Sequence, residues 1–168
     1  MHTHLEKDIN YTMKTKKQTI FSYIAILGGI LLVAGLGSLF VQMGMSWYKT
    51  LTTPSQFPPN YVVPIMWTII YGIFAIVLCL WVRKDDIPIS IISLLILNGI
   101  MNVVWCLVFF TLEQTFLGLV AIILVLMLSI VLLKYIFNYK KTYALLNILY
   151  PIWVSIATAL NLALWILN

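Results

Sequence analysis

The chain has 168 residues, of which 62% are hydrophobic and only 9% are charged, and its mean hydropathy is +1.04. A soluble domain is about 25% charged, so this composition excludes a water-soluble globular protein and predicts an integral membrane protein. The net charge of +5 does not predict nucleic-acid binding, because the charges fall in short clusters between long uncharged runs and cannot share one solvated face.

Residues 1–19 form a polar N-terminal extension that contains both histidines, His2 and His4. Without a supporting cysteine or carboxylate group, this pair is not expected to form a metal site. Translation can start at Met1 or at Met13, and the lysines after Met13 resemble the start of a signal peptide. The apolar run behind them is longer than the about 7–15 residues of a signal peptide, which predicts an uncleaved first span.

Uncharged runs predict five membrane-spanning helices, each long enough to cross about 30 Å of hydrocarbon. Their expected bounds are about 20–41, 64–82, 88–110, 116–137 and 144–167. Five spans place the termini on opposite sides of the membrane. All the Lys and Arg residues except Lys49 fall on the side of the N-terminus, so the positive-inside rule predicts a cytoplasmic N-terminus and an outer C-terminus. The expected fold is therefore an all-α five-helix transmembrane bundle over residues 20–168, in the plasma membrane if the source is bacterial.

The first loop, about residues 42–63, is expected to be long and to lie outside. Its aromatic and proline residues are Trp47, Tyr48, Pro54, Pro58 and Pro59. Pro-Pro can neither continue a helix nor donate a hydrogen bond in a strand, so the loop is expected to be a semi-rigid cap. Long ordered loops often carry binding residues, which makes this loop a candidate lid.

Three of the predicted helices each carry a stripe of aromatic and amide side chains at the spacing of one helix face. The stripes are Pro64, Trp67, Tyr71 and Phe74 on the second span, Asn98, Asn102, Trp105 and Phe109 on the third, and Tyr150, Trp153, Ala157, Asn161 and Trp165 on the fifth. Polar groups in a membrane usually face other helices or a cavity. The stripes are therefore predicted to converge on an apolar pocket for a flat, largely apolar ligand.

Structural explanations for these residues stay open at this point. The asparagines can serve as hydrogen-bonding groups between helices, and both Trp81 and Trp165 are predicted to belong to interfacial aromatic belts. The glycines of the first span predict close helix packing or a dimer contact. They are Gly28, Gly29, Gly35 and Gly37.

Charged and histidine side chains are absent from the predicted spans, apart from Lys134 within the last turn of the fourth. This absence disfavours a proton-coupled pump and a hydrolase built on a Ser-His-Asp set or paired carboxylates. It also leaves no intramembrane histidine to ligate haem iron. No cofactor is expected to be required, and a bound tetrapyrrole is expected to be held by stacking and shape.

The order and spacing of several motifs resemble the TspO/MBR family, which comprises tryptophan-rich sensory proteins and translocator (peripheral-type benzodiazepine receptor) proteins. Trp47-Tyr48-x-x-Leu51-x-x-Pro54-x-x-x-Pro58-Pro59, followed by Trp67 and Tyr71-Gly72, is similar to the family signature WYxxLxxPxxxPP…WxxxYG. Asn102-x-x-Trp105 with Phe109-Phe110 is similar to its NxxW…FF element. The last helix carries Tyr150-Pro151 where the family usually has Pro-Tyr.

The resemblance implies a five-helix bundle, commonly a homodimer, with a pocket beneath the first loop for porphyrins, isoquinoline-type drugs and, in some members, sterols. Together with the stripes it marks as ligand-binding residues Tyr48, Trp67, Tyr71, Asn98, Asn102, Trp105, Phe109, Trp153, Ala157 and Asn161, and as lid Trp47, Pro54, Pro58 and Pro59. Gln56 stands where many members have a Trp. Leu162 and Ile166 stand where animal members have the Tyr and Arg of a proposed sterol motif, so sterol is a less expected ligand.

The main hypothesis is a membrane protein that binds tetrapyrroles, protoporphyrin IX or haem, for transport or stress sensing. Because the resemblance extends to bacterial members that promote light-dependent breakdown of protoporphyrin, an alternative is a porphyrin-degrading enzyme with Trp67 and Trp153 as candidate redox residues. A third alternative is a structural membrane subunit. Membrane lipid is the expected surrounding in each case, and nucleic acid is not an expected partner.

Overall fold

The computed structural model describes residues 16–54, 58–59 and 61–168, and within these ranges the chain is almost entirely helical. The helices are α1 (Lys16–Tyr48), α2 (Val62–Lys84), α3 (Ile89–Cys106), α4 (Thr115–Tyr139), α5 (Lys141–Asn147) and α6 (Leu149–Leu167), and a π-helix at Leu107–Thr111 continues α3. Five helical segments are long and apolar enough to cross a membrane, which confirms the five-span prediction. His2, His4, Met13 and Gln56 lie outside the described residues.

The first span differs from its predicted bounds, because α1 continues to Tyr48 rather than ending at about residue 41. A polar Gln42 does not end a helix, and no proline removes a backbone N–H before Pro54. The following turn is tightened by hydrogen bonds from Thr50 N to Trp47 O at 2.8 Å and from Leu51 N to Tyr48 O at 3.3 Å. Trp47 and Tyr48 therefore lie on the last turn of α1, and the loop is shorter than predicted.

The last span is one membrane-crossing segment made of two helices, α5 and α6, which meet at Ile148. Pro151 has no N–H to donate to the carbonyl of Asn147, four residues earlier. The helical hydrogen-bond pattern is therefore interrupted at this point, and α5 packs against α2 while α6 packs against α4.

One end of the bundle, here called the basic end, carries Lys17, Arg83, Lys84, Lys140 and Lys141. An ion pair is formed at this end, with Lys140 Nζ 2.6 Å from Asp85 Oδ2. It joins the turn after α2 to the start of α5. The opposite end, here called the loop end, carries the segment between α1 and α2. That the basic end faces the cytoplasm stays a prediction.

Trp81 is not an interfacial belt residue, which corrects the prediction from its position near a span end. Its side chain is 1% exposed and packs against Tyr143 of α5, with ring centroids 5.4 Å apart. The reason is that α5 covers this end of α2. Trp165, by contrast, is 42% exposed and contacts Phe116.

α1 lies at the periphery of the bundle, and along its described residues only Gly37 and Gly44 are buried. A Cβ at Gly44 would collide with the backbone of Phe110, so the two helices touch backbone to backbone there. The Thr111 hydroxyl also donates to the Phe40 carbonyl at 3.0 Å. α1 is therefore firmly attached near the loop end.

Of the four glycines predicted to pack closely, only Gly37 does so within the chain. A Cβ at Gly28, Gly29 or Gly35 would meet nothing within 4 Å, and one at Gly37 would lie 3.4 Å from the sulfur of Cys106. The closest packing of α1 is at Gly44, which the sequence did not single out. The sequence signal that could have indicated this contact is the position of Gly44 one helical turn before the Trp47-Tyr48 motif.

Candidate ligand-binding site

The predicted aromatic residues near the loop end form one packed group, here called the aromatic cluster. It consists of Trp47, Tyr48, Trp67, Trp105, Phe109 and Phe110. Trp47 contacts Phe109 with ring centroids 5.6 Å apart, and Trp67 contacts Trp105 at 6.2 Å. Trp105 and Phe109 lie nearly parallel, with an interplanar angle of 22°. Four of the predicted ligand-binding residues and one predicted lid residue thus belong to this cluster.

The π-helix explains why two successive phenylalanines both face the cluster. In an α-helix, adjacent residues point about 100° apart, whereas a π-turn inserts an extra residue and widens the turn. Its hydrogen bond from Leu112 N to Leu107 O is 2.9 Å long. Phe109 and Phe110 are 1% and 9% exposed and their ring centroids are 4.9 Å apart.

A buried hydrogen-bond network joins α3, α4 and α6. The Tyr150 hydroxyl donates to Asn98 Oδ1 at 2.5 Å, and Asn102 Nδ2 donates to the Tyr150 oxygen at 3.4 Å. Asn98 Nδ2 in turn lies 3.4 Å from the Val125 carbonyl oxygen on α4. These amides therefore connect helices, as the structural explanation predicted, and they also lie beside a cavity.

Asn161 has a different partner from the other two asparagines. Its Oδ1 accepts from Trp105 Nε1 at 3.1 Å, and its own amide donates to the Ala157 carbonyl at 2.8 Å. The bond fixes the indole plane of Trp105 within the aromatic cluster. Asn161 thus positions an aromatic residue, whereas Asn98 and Asn102 border open space.

A cavity of about 830 Å³ lies between α1, α2 and α3, with Tyr150 of α6 at its inner wall. Aliphatic and aromatic side chains make most of its surface. Phe21, Leu32 and Ile96 line it and are still 72%, 62% and 59% exposed, so the cavity opens sideways between the helices. Among the predicted ligand-binding residues it contains Tyr71, Asn98 and Asn102.

The sequence predicts that the three stripes converge on one pocket, which the family resemblance puts beneath the loop. In the structure the stripes do not meet in a single pocket there. The space beneath the described part of the loop is occupied by the aromatic cluster, and the cavity lies further toward the basic end, where α1 residues from Phe21 to Leu36 line it. Trp67 lies at the boundary, with its ring centroid 5.8 Å from that of Tyr71 and 6.3 Å from that of Tyr150.

The remaining predicted residues on α6 do not line the cavity. Trp153 and Ala157 are 4% and 7% exposed and are buried in the packing of α6, whose main neighbour is α4. Within the described part of the chain, Trp153 Nε1 has no hydrogen-bond partner. The two candidate redox residues thus have different surroundings, Trp67 beside the cavity and Trp153 within the packed core.

Two polar atoms at the inner end of the cavity are available to a ligand. Neither the Tyr71 hydroxyl nor Asn102 Oδ1 bonds to another of the described residues, although both side chains line the cavity. A phenol can donate and accept, and an amide oxygen accepts. This end of the cavity can therefore bind an uncharged polar group.

The predicted lid is attached to α6 through one side chain. Thr52 N donates to Asn168 Oδ1 at 2.8 Å, and Asn168 Nδ2 donates to the Thr52 carbonyl at 3.1 Å. Leu51 next to it packs against the core. Pro54 and Pro58 are half-buried and Pro59 is exposed, so the described part of the loop rests on the bundle.

Replacing Asn168 by Ala is expected to speed hydrogen exchange at the Thr52 amide about thirtyfold, because its two hydrogen bonds to the Thr52 backbone, of about 1 kcal/mol each, are lost and closure weakens. The measurement is hydrogen–deuterium exchange of detergent-solubilised protein. Thr52→Ala is the matched control, since Asn168 contacts Thr52 through the Thr52 backbone and not through its side chain. Equal exchange rates in the wild type and in Asn168→Ala would show that the hydrogen bonds between Asn168 and Thr52 do not hold the loop.

Comparison with known proteins places these features in a family context. The sequence profile of the TspO/MBR family matches residues 24–166. The chain is 30% identical over 151 residues to Tryptophan-rich protein TspO of Archaeoglobus fulgidus, covering 89% of this chain and 98% of that protein. It is 30% identical over 152 residues to Tryptophan-rich protein TspO of Chlorobaculum tepidum, covering 86% and 95%. It is 25% identical to Protein CrtK of Rhodobacter capsulatus, covering 73% of this chain and 79% of that protein.

Proposed function

The chain belongs to the TspO/MBR family and is an integral multi-pass membrane protein, and on this premise we propose that it binds tetrapyrroles in the cavity between α1, α2 and α3. The ligands proposed are protoporphyrin IX and haem, and the proposed role is their transport or stress sensing. The same cavity is the proposed site for isoquinoline-type drugs. A homodimer is proposed for the protein in the membrane.

The observation that carries this proposal is the cavity itself. Its volume of about 830 Å³ lies within the range of about 300–1,000 Å³ typical of small-molecule sites. The walls are almost wholly apolar, and Tyr71 with the adjacent Trp67 presents aromatic rings at the inner end. A flat macrocycle can bury both faces between α1 and the α2–α3 pair and stack an edge against these rings.

Binding in this cavity does not need an iron ligand. Apolar burial and ring stacking act on the macrocycle whether or not it carries a metal. The proposal therefore expects metal-free protoporphyrin IX and haem to bind with similar affinity, and competition between the two in one titration measures this.

Filling the cavity is expected to prevent binding. Gly29 lines it and a Cβ there meets nothing within 4 Å, so Gly29→Leu places a side chain in the cavity without disturbing the helices. The Kd for protoporphyrin IX, measured by quenching of tryptophan fluorescence, is expected to rise about tenfold or more.

Gly28→Leu is the matched control, because Gly28 is the neighbouring residue, has equally open surroundings and does not line the cavity. Its Kd is expected to equal that of the wild type, and both variants should elute as the wild type does in size-exclusion chromatography. If both leucine variants bind protoporphyrin IX as tightly as the wild type does, the proposal that tetrapyrroles bind in this cavity is wrong.

A further inference from the structure

The outer face of α4 carries a stripe of side chains that changes from apolar to basic along the helix. Met127, Val131, Lys134 and Asn138 follow one another at spacings of four, three and four residues, so they lie on one helix face. All four side chains are exposed on the surface of the bundle. Because α4 is one of the membrane-spanning segments, this stripe is open to the surrounding lipid.

A second lysine joins the basic part of the stripe from the start of α5. The Nζ atom of Lys141 lies 5.6 Å from the ring centroid of Phe137, and Phe137 is one helical turn from Lys134 on α4. The Lys141 side chain therefore lies along the outer surface of α4. Both lysines are neighbours of Phe137, and the exposed Asn138 amide next to it can donate hydrogen bonds.

The charge of these two lysines is not compensated within the described part of the chain. Glu113 is the last acidic residue of the sequence, and the Asp85 carboxylate pairs with Lys140 at 2.6 Å. Among the described residues, neither Lys134 nor Lys141 forms an ion pair with an acidic side chain. The basic part of the stripe therefore has a net positive charge that an anionic ligand can neutralise.

This basic part lies at the level of the lipid headgroups. Tyr135 and Tyr139 are 40% and 54% exposed on the last turns of α4, and exposed tyrosines are typical of the interface between membrane and water. Lysines at this level keep their methylene groups in the hydrocarbon and extend the ammonium group toward the headgroups. A phosphate in the headgroup layer is therefore within reach of both ammonium groups.

The apolar part of the stripe leads to a groove between α3 and α4. The groove has a volume of about 300 Å³ and is lined by Leu97, Met101, Leu124, Met127 and Leu128. Met127 lies ten residues before Phe137, which corresponds to about 15 Å along the helix. The hydrocarbon core is about 30 Å thick, so this length matches the depth of one leaflet. A lipid chain that begins at the basic part of the stripe therefore ends in the groove.

We propose that this face of α4 binds one anionic phospholipid, with its phosphate at Lys134 and Lys141 and one acyl chain along Val131 into the groove. The two uncompensated charges favour a headgroup with a net negative charge, such as phosphatidylglycerol, over zwitterionic phosphatidylcholine. The groove shares no lining residue with the cavity between α1, α2 and α3. Lipid binding at this site is therefore independent of the proposed tetrapyrrole binding.

The test measures lipid binding to the detergent-solubilised protein by native mass spectrometry. The probes are phosphatidylglycerol and phosphatidylcholine with identical acyl chains, and glycerol phosphate as a soluble phosphate ester. The wild type is expected to bind one phosphatidylglycerol about tenfold more tightly than phosphatidylcholine, and millimolar glycerol phosphate is expected not to displace it. Equal affinity for the two lipids overturns the proposal, and so does displacement by glycerol phosphate, which would assign the site to soluble phosphate esters.

The position of the headgroup is tested with the double variant Lys134→Gln, Lys141→Gln. Its Kd for phosphatidylglycerol is expected to rise about tenfold, to that for phosphatidylcholine. Arg83→Gln, Lys84→Gln is the matched control, because it removes the same charge from exposed residues that lie on α2, outside the groove, and are followed directly by Asp85. This control is expected to keep the preference. An equal loss in both double variants would show that net charge alone attracts the lipid and would overturn the site.

The position of the acyl chain is tested by filling the groove. Met127→Trp places an indole ring there, and its Kd for phosphatidylglycerol is expected to rise about threefold or more, because the chain loses van der Waals contacts in the groove. Val120→Trp is the matched control, since Val120 is exposed on the same face of α4, about two turns nearer the loop end, and does not line the groove. If Met127→Trp binds phosphatidylglycerol as tightly as the control does, the placement of the chain is wrong.

Discussion

A Gly44→Ala variant is expected to lose about 3 kcal/mol or more of its free energy of unfolding, the upper range for overpacking a close contact. The added methyl group would collide with the carbonyl and Cα atoms of Phe110. These atoms belong to the backbone of the π-helix and cannot move as a flexible side chain can. The two helices must therefore separate, and the contacts of Trp47 and Tyr48 with the phenylalanines weaken with them.

The measurement is unfolding of the detergent-solubilised protein, followed by near-UV circular dichroism as temperature or denaturing detergent increases. Gly35→Ala is the matched control on the same helix, since a Cβ at Gly35 meets nothing within 4 Å. Alanine has the higher helix propensity by about 1 kcal/mol, so this control is expected to be at least as stable as the wild type. A Gly44→Ala variant as stable as the control would contradict the backbone contact.

Replacing Tyr150 by Phe is expected to cost about 2 kcal/mol of stability, because one hydroxyl serves two buried amides. Its oxygen donates to Asn98 and accepts from Asn102. Both amides are then left without that partner at membrane depth, and an unsatisfied buried group costs about 1–3 kcal/mol. The ring stays in place, so packing against Phe74 and Trp67 is kept.

A double variant distinguishes a lost hydrogen bond from lost packing. Tyr150→Phe combined with Asn98→Leu removes both partners of the 2.5 Å bond, so the combined loss is expected to be smaller than the sum of the two single losses. Tyr143→Phe serves as the control tyrosine, because its ring contacts Trp81 and none of the described hydrogen bonds uses its hydroxyl. Strict additivity, or an equal loss in the control, would show that the network is not the source of the effect.

Sequence reasoning succeeded where a local pattern determines the outcome. Uncharged runs determine which segments can cross a membrane, and the spacing of Asn98, Asn102 and Trp105 places them on one helix face that the structure buries at 5–6% exposure. The number of helices and the burial of this face could therefore be predicted. Each follows from solvent preference and helical periodicity within a single segment.

Prediction from the sequence was incomplete where the position of a side chain depends on how separate helices pack against each other. Trp81 is near a span end in sequence, but it is covered by α5, the short helix that precedes the interruption at Pro151. The inward orientation of both Phe109 and Phe110 requires a π-turn that no simple periodicity indicates. The position of the cavity depends on how α1 packs against α2 and α3, which no pattern within a single segment determines.

The attachment of α1 has a mechanical consequence. Its tightest contacts lie at Gly37, Phe40 and Gly44 near the loop end, and toward the basic end it packs through side chains, with Ile26 and Ile30 against the core. From Gly37 to Phe21 the helix is about 24 Å long, so a tilt of about 5° around Gly37 would move the Phe21 end by about 2 Å. Such a tilt would change the width of the cavity at the cost of these side-chain contacts, while the backbone contact at Gly44 is kept.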